Sequence, residues 1–163
     1  MEHLFVANTH SYILFFTDKG KCYWVKVYDI PEGGRAAKGR AIVNLIGCEP
    51  DEKVSAFISV KEFNEDHYVV MATEKGMVKK TKLSAYSNPR KKGIYAVEIR
   101  DGDKLIEARV STGDNDILLG TRNGKSIRFS EEQIRASGRK TMGVKGITLS
   151  SEDDRLVGML LIK

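Results

Sequence analysis

The chain has 163 residues, 41% of them hydrophobic, with 27 Lys and Arg against 22 Asp and Glu and a net charge of +5. That apolar content supports a packed core and excludes a disordered tail, and no apolar run approaches the ~20 residues of a membrane helix. Cys22 and Cys48 lie far apart with no C-x-x-C, and His3, His10 and His67 lack ligand spacing, so reduced buried thiols and no metal are expected.

In chain order, a short strand at His3–Ala7 comes first, without the basic region of a secretory signal. The apolar run Tyr12–Phe16 follows and ends in Thr17-Asp18-Lys19-Gly20. The same phrase returns as Thr73-Glu74-Lys75-Gly76 after Tyr68–Ala72, and as Thr121-Arg122-Asn123-Gly124 after Asp116–Gly120. Each reads as a hairpin turn whose glycine supplies the positive φ that reverses the chain. A returning strand alternates, as in Met77–Thr81 and Ser126–Phe129. A connector follows, and Ser130–Arg135 carries a capping residue for one helical turn. A Gly-bearing loop then opens a fourth strand: Lys38–Leu45, Lys92–Ile99 and Met142–Leu149. An acidic turn closes each unit, and Lys53, Lys104 and Arg155 within those turns are spaced by 51 positions both times.

A fixed period near 50 residues implies a propeller or array, with four short strands per blade. The fold is expected to be all-β, with repeats at about 3–53, 54–104 and 105–155 in one partial domain and the strand at 156–162 starting a fourth. Blade edges left open at the ends invite self-association.

Charge is distributed with the same period. Gly33–Cys48, Lys75–Val97 and Gln133–Ser151 hold no Asp or Glu, and carry 3, 7 and 4 basic residues. Stacked repeats would join these windows into one positive band suited to phosphates. The candidate DNA contacts are Arg35, Lys38 and Arg40; then Lys79, Lys80, Lys82, Arg90, Lys91 and Lys92; then Arg135, Arg139, Lys140 and Lys145. Small neighbours such as Gly93 and Gly143 would let backbone amides approach an anion. Arg122 and Lys125, at a hairpin turn, read as solvent charges, and the acidic turns, Glu152–Asp154 included, as solvated. Phe5, Phe15, Phe57, Tyr68 and Phe129 read as core, Trp24 as inter-blade core, and Tyr86 and Tyr95 as buried. No P-loop, Gly-x-Ser-x-Gly or paired His and carboxylate is present, so no catalytic residues are assigned.

The segment YDIPEGGRAAKGRAIVNLI at residues 28–46 is similar to the first blade of the C-terminal domain of DNA gyrase A. Thr73–Thr81 and Thr121–Ser130 resemble the second and third blades. The resemblance implies a β-pinwheel whose strands are partly exchanged between blades and whose basic rim binds and bends duplex DNA without sequence preference. It further implies a non-catalytic part of a cytoplasmic, nucleoid-associated type II topoisomerase that supercoils DNA negatively. Its partners would be the remainder of gyrase A together with gyrase B, with ATP and Mg used on other domains. The family's hallmark heptad Gln-Arg-Arg-Gly-Gly-Lys-Gly, its last three blades and its tyrosine nucleophile are not in this sequence, so a half-pinwheel is expected. The alternatives are a protein-binding propeller scaffold, a self-associating half-ring, or the related C-terminal domain of topoisomerase IV, a weaker fit.

Overall fold

A computed structural model describes residues 11–26, 51–149 and 151–163. The strand expected at His3–Ala7 and the first basic window, with Arg35, Lys38 and Arg40, lie outside the described residues. The strands are β1 (Tyr12–Thr17), β2 (Lys21–Lys26), β3 (Val54–Val60), β4 (Tyr68–Thr73), β5 (Met77–Lys82), β6 (Ile94–Tyr95), β7 (Leu105–Ser111), β8 (Asp116–Thr121), β9 (Ser126–Ser130), β10 (Val144–Lys145) and β11 (Leu156–Ile162). Short 3-10 turns occupy Leu83–Tyr86 and Glu131–Gln133, and the Ser130 side chain caps the second by accepting from the Glu132 amide at 3.2 Å.

Three antiparallel sheets result, in strand order β3-β1-β2-β6, β7-β4-β5-β10 and β11-β8-β9. The hairpins β1–β2, β4–β5 and β8–β9 are the ones the Thr-x-x-Gly phrases predict. The flanking strands come from further along the chain. The strand opening each repeat pairs back onto the preceding hairpin, β3 on β1 and β7 on β4. The expected fourth strand shrinks to two residues and also reaches back, β6 onto β2 and β10 onto β5. A blade is therefore a hairpin completed on both sides by the next repeat, which is the strand exchange the resemblance implies.

The Thr-x-x-Gly phrase is the joint of this exchange. Thr17, Thr73 and Thr121 are buried, and each hydroxyl accepts from the amide four residues on, at 3.2, 3.1 and 3.0 Å. The second residue of each phrase donates its amide to the acidic turn that follows: Asp18 to Lys53 O, Glu74 to Lys104 O and Arg122 to Arg155 O, all at 2.8 Å. Its carbonyl accepts from the repeat after that, Leu105 N on Asp18 O and Leu156 N on Glu74 O. One carboxylate in each acidic turn is consequently structural, while Asp51, Asp101, Glu152 and Asp153 are exposed as expected. Asp103 accepts from the Lys75 amide at 2.9 Å and buried Asp154 from the Asn123 amide at 3.0 Å. Buried Glu52 takes hydrogen bonds from the Thr17 hydroxyl at 2.6 Å and the Tyr23 hydroxyl at 2.8 Å.

Two apolar clusters lie between consecutive sheets. Leu14, Phe16, Cys22, Val69, Met71 and Tyr86 join the first and second; Val70, Ala72, Val78, Ile117, Leu119 and Met159 join the second and third. Side chains alternate across a strand, so β4 sends Val69 and Met71 one way and Val70 and Ala72 the other. Burial on both faces explains why Tyr68–Ala72 reads as an unbroken apolar run. Trp24 spans the first joint, donating its indole N–H to Tyr86 O at 2.8 Å. Tyr86 is fully buried as expected, but Tyr95 is 49% exposed and Phe57 37% exposed. Tyr95 lies on the outermost strand of its sheet, where no further strand covers it among the described residues.

Candidate nucleic-acid interface

The second and third basic windows end up at equivalent places. Ile94 and Tyr95 pair with Cys22 and Lys21 along the outer side of β2. Val144 and Lys145 pair with Val78 and Met77 along the outer side of β5, and farther along the same strand the Ser137 amide donates to Lys80 O at 2.8 Å. Arg90, Lys91 and Lys92 thus run up to the edge of the first sheet, while Arg135, Arg139, Lys140 and Lys145 follow the edge of the second. The two segments touch, because the Glu98 amide donates to Thr141 O at 3.0 Å. Lys82, Arg90, Lys91, Lys92, Arg135, Lys140 and Lys145 are exposed and Arg139 is half-buried. None of them forms an ion pair with a carboxylate among the described residues. The ion pairs lie elsewhere, as in Lys19 with Asp51 and Arg128 with Asp116.

Two candidates do not belong to this surface. Lys79 and Lys80 are neighbours in β5, so they leave opposite faces of the second sheet, and both are buried, at 1% and 6% exposure. Lys80 turns toward the third sheet. Its Nζ lies 3.2 Å from Glu131 Oε1 and 4.4 Å from the Tyr68 ring centroid. Glu131 is fully buried and also accepts from the Ser111 hydroxyl at 2.8 Å and the Asn115 amide at 2.9 Å. Lys79 turns toward the first sheet and donates to the carbonyls of Ala96 and, at 2.5 Å, Arg139. Burial, with a smaller effect from the Arg139 charge, pushes its amine down from 10.5 to about 7. Neither ammonium faces outward to a phosphate. The Met77–Lys82 alternation fixed which residues share a face, but not that both faces are covered.

Gly93 and Gly143 beside the cations serve packing, whereas an added Cβ at Gly138 would meet nothing within 4 Å. A Cβ on Gly93 would fall 2.6 Å from Tyr23 Cε1, and one on Gly143 would collide with Val78 O. Both let the basic segments press against the outer strands. Reading the sequence alone missed Lys21, which sits 5.6 Å from the Tyr95 ring centroid and 5.8 Å from that of Tyr23. No charge window contains it; only its pairing with Tyr95 in β6 brings it to the edge of the first sheet. Lys125 is exposed, as expected, and its ammonium reaches Thr148 O at 2.5 Å.

The family profile described as DNA gyrase C-terminal domain, β-propeller, matches residues 11–61, 67–112 and 115–163. Each match holds one hairpin and the inner strand that completes its sheet. The chain belongs to the DNA gyrase A C-terminal domain family. Among gyrase A proteins, that of Clostridium acetobutylicum is 50% identical over 146 residues, which is 90% of this chain and 18% of the relative. That of Salmonella typhimurium is 45% identical over 161 residues, 99% of this chain and again 18% of the relative. The chain therefore spans about a fifth of the curated gyrase A proteins it matches. Among solved structures, the C-terminal domain of DNA topoisomerase IV superposes with a TM-score of 0.85 at 31% identity, covering 96% of this chain and 49% of that one. A DNA gyrase A C-terminal domain superposes with a TM-score of 0.79 at 24% identity, covering 96% and 50%, and supports the same fold. Among the described residues of this gyrase A-type domain, no helix is long and apolar enough to cross a membrane.

Proposed function

We propose that this chain binds duplex DNA through its phosphates, without sequence preference and without catalysis, and bends the duplex along the outer edges of its sheets. The observation that carries this is the recurrence of Arg90–Lys92 and Arg135–Lys145 at corresponding edges of adjacent sheets, on segments joined by the Glu98–Thr141 bond and without carboxylate pairing among the described residues. Cations on loops anchored to the sheet edges release counterions from a polyanion, and charges aligned along one band favour a curved duplex. Within a complete gyrase, this domain would pass a bent segment to the cleaving region of gyrase A. Gyrase B would supply ATP-driven strand passage, with Mg at sites on those other domains.

Titration of a short linear duplex by fluorescence anisotropy across a salt series tests the reading. Engagement of about four to seven phosphates gives a log–log slope of roughly −4 to −6. Lys91→Glu with Lys92→Glu should weaken binding and flatten that slope with the urea midpoint unchanged. A salt-independent affinity in the wild type, or full binding by the double variant, counts against it.

Self-association is a second reading with its own observation. The third sheet has three strands, so the outer side of β9 carries no counterpart of β6 or β10 among the described residues. Ile127 is 39% exposed there, and on β11 Val157 is 59% and Leu160 53% exposed. Light scattering over a concentration series reads this directly, and a monomer throughout excludes it.

A further inference from the structure

Lys79 occupies a register position shared by three strands: it faces Met71 as Tyr23 faces Phe15 and Ile127 faces Leu119. Only the second sheet has a lysine there. Its ammonium is enclosed, has no carboxylate partner among the described residues, and donates to two carbonyls from separate parts of the chain. Ala96 O follows directly on β6, at the edge of the first sheet. Arg139 O lies in the loop that follows the edge of the second. The bond from the Glu98 amide to Thr141 O runs beside them.

Stability alone gives no reason for this arrangement. Enclosing an ammonium without an anion is costly, and a methionine fills a similar space with no ion to desolvate. What the lysine adds is direction, through two hydrogen bonds to separate carbonyls that a methionine, with no N–H group, cannot make.

We infer that Lys79 is a positioning residue for the DNA-binding edge: it pins the segment carrying Arg90, Lys91 and Lys92 to the segment carrying Arg139 and Lys140, so that both meet one duplex as a single rigid surface. This rests on the duplex-binding reading above. The lysine never touches DNA. Its effect is to hold the two cationic groups at a fixed separation, which lets a curved duplex engage both without ordering either.

The test uses the chain with Lys79→Met. Hydrogen exchange at the amides of Ala96–Glu98 and Arg139–Thr141 should quicken about tenfold or more as local opening becomes easier, while the β4 amides stay as in the wild type. The salt slope for a linear duplex should lose about 2, the contribution of about two phosphates that are no longer engaged together. The duplex bend, read by end-to-end energy transfer, should decrease. Unchanged exchange with an unchanged slope overturns the pin. A wild type with no salt-dependent duplex binding instead defeats the underlying reading, and faster exchange in the variant would still register the pin as a structural tie alone, removing its role in DNA binding. Should Lys79→Met fail to fold, the wild type decides. On adding duplex, the amides at Ala96–Glu98 and at Arg139–Thr141 must gain protection at the same DNA concentration, and protection of one segment without the other overturns the inference.

Discussion

Alanine at Gly76 and at Gly124 separates two demands placed on the same turn residue. Both glycines have positive φ, +93° and +90°, so alanine carries a similar left-handed backbone cost at either, about 1–2 kcal/mol. Their surroundings differ. A Cβ on Gly76 would stand 2.7 Å from the Ile147 carbonyl oxygen and 3.1 Å from its Cγ2, whereas at Gly124 nothing lies within 4 Å. To make room, Gly146 and Ile147 must withdraw from the Gly76 carbonyl, to which their amides donate at 2.8 and 3.3 Å. Two such bonds are worth about 1–3 kcal/mol together. Gly76→Ala should therefore cost about 2–5 kcal/mol and Gly124→Ala only about 1–2 kcal/mol. Urea unfolding followed by the emission of Trp24, the single tryptophan, measures both. With an m-value of about 2 kcal/mol/M, the two midpoints should differ by about 1 M. Equal midpoint losses would refute the claim that the following repeat grips Gly76.

Removing one member of the buried pair isolates the other. Lys80→Met should destabilise by about 3–5 kcal/mol because Glu131 keeps its charge without a cation, and adding Glu131→Gln should recover part of the loss in the same urea assay. Lys79 gives a pH signature. Its amine sits at about 7 in the folded chain against 10.5 unfolded, so between those values the unfolded chain binds the extra proton. Stability then rises with pH by up to about 1.4 kcal/mol per unit. Buried Cys22, its thiol pushed well above 9.0, offsets that trend once the unfolded thiol ionises, so the rise belongs at about pH 7.5 to 8.5. It should vanish in Lys79→Met, and persistence of the slope there would assign it to another group.

The hairpins were legible because their signals are local: an apolar run, Thr-x-x-Gly, and an alternating return. The pairing of β3 with β1 and of β6 with β2 was not, because a repeat has the same period wherever its frame is cut. Only packing decides which neighbour a strand joins. The basic windows could be read as a band because their register recurs, and the structure brings the second and third together. Lys79 and Lys80 stood in that band only by sequence proximity. Burial on both faces of β5 turned one toward carbonyls and the other toward Glu131, a carboxylate 51 residues away in the chain. Asp154 and Asp103 looked like ordinary surface charges because their partners are main-chain amides, which leave no mark in a side-chain pattern.

The way each turn is gripped has a consequence for synthesis. The Asp18 carbonyl waits for the amide of Leu105, and the outer side of β2 waits for Ile94 and Tyr95. A ribosome emitting this protein therefore releases the first hairpin long before its wedge is complete, and non-local pairing of this kind is slow to form. No wedge closes until its successor has emerged, so maturation trails translation by a full repeat, and a pause inside the second repeat leaves the first one ajar.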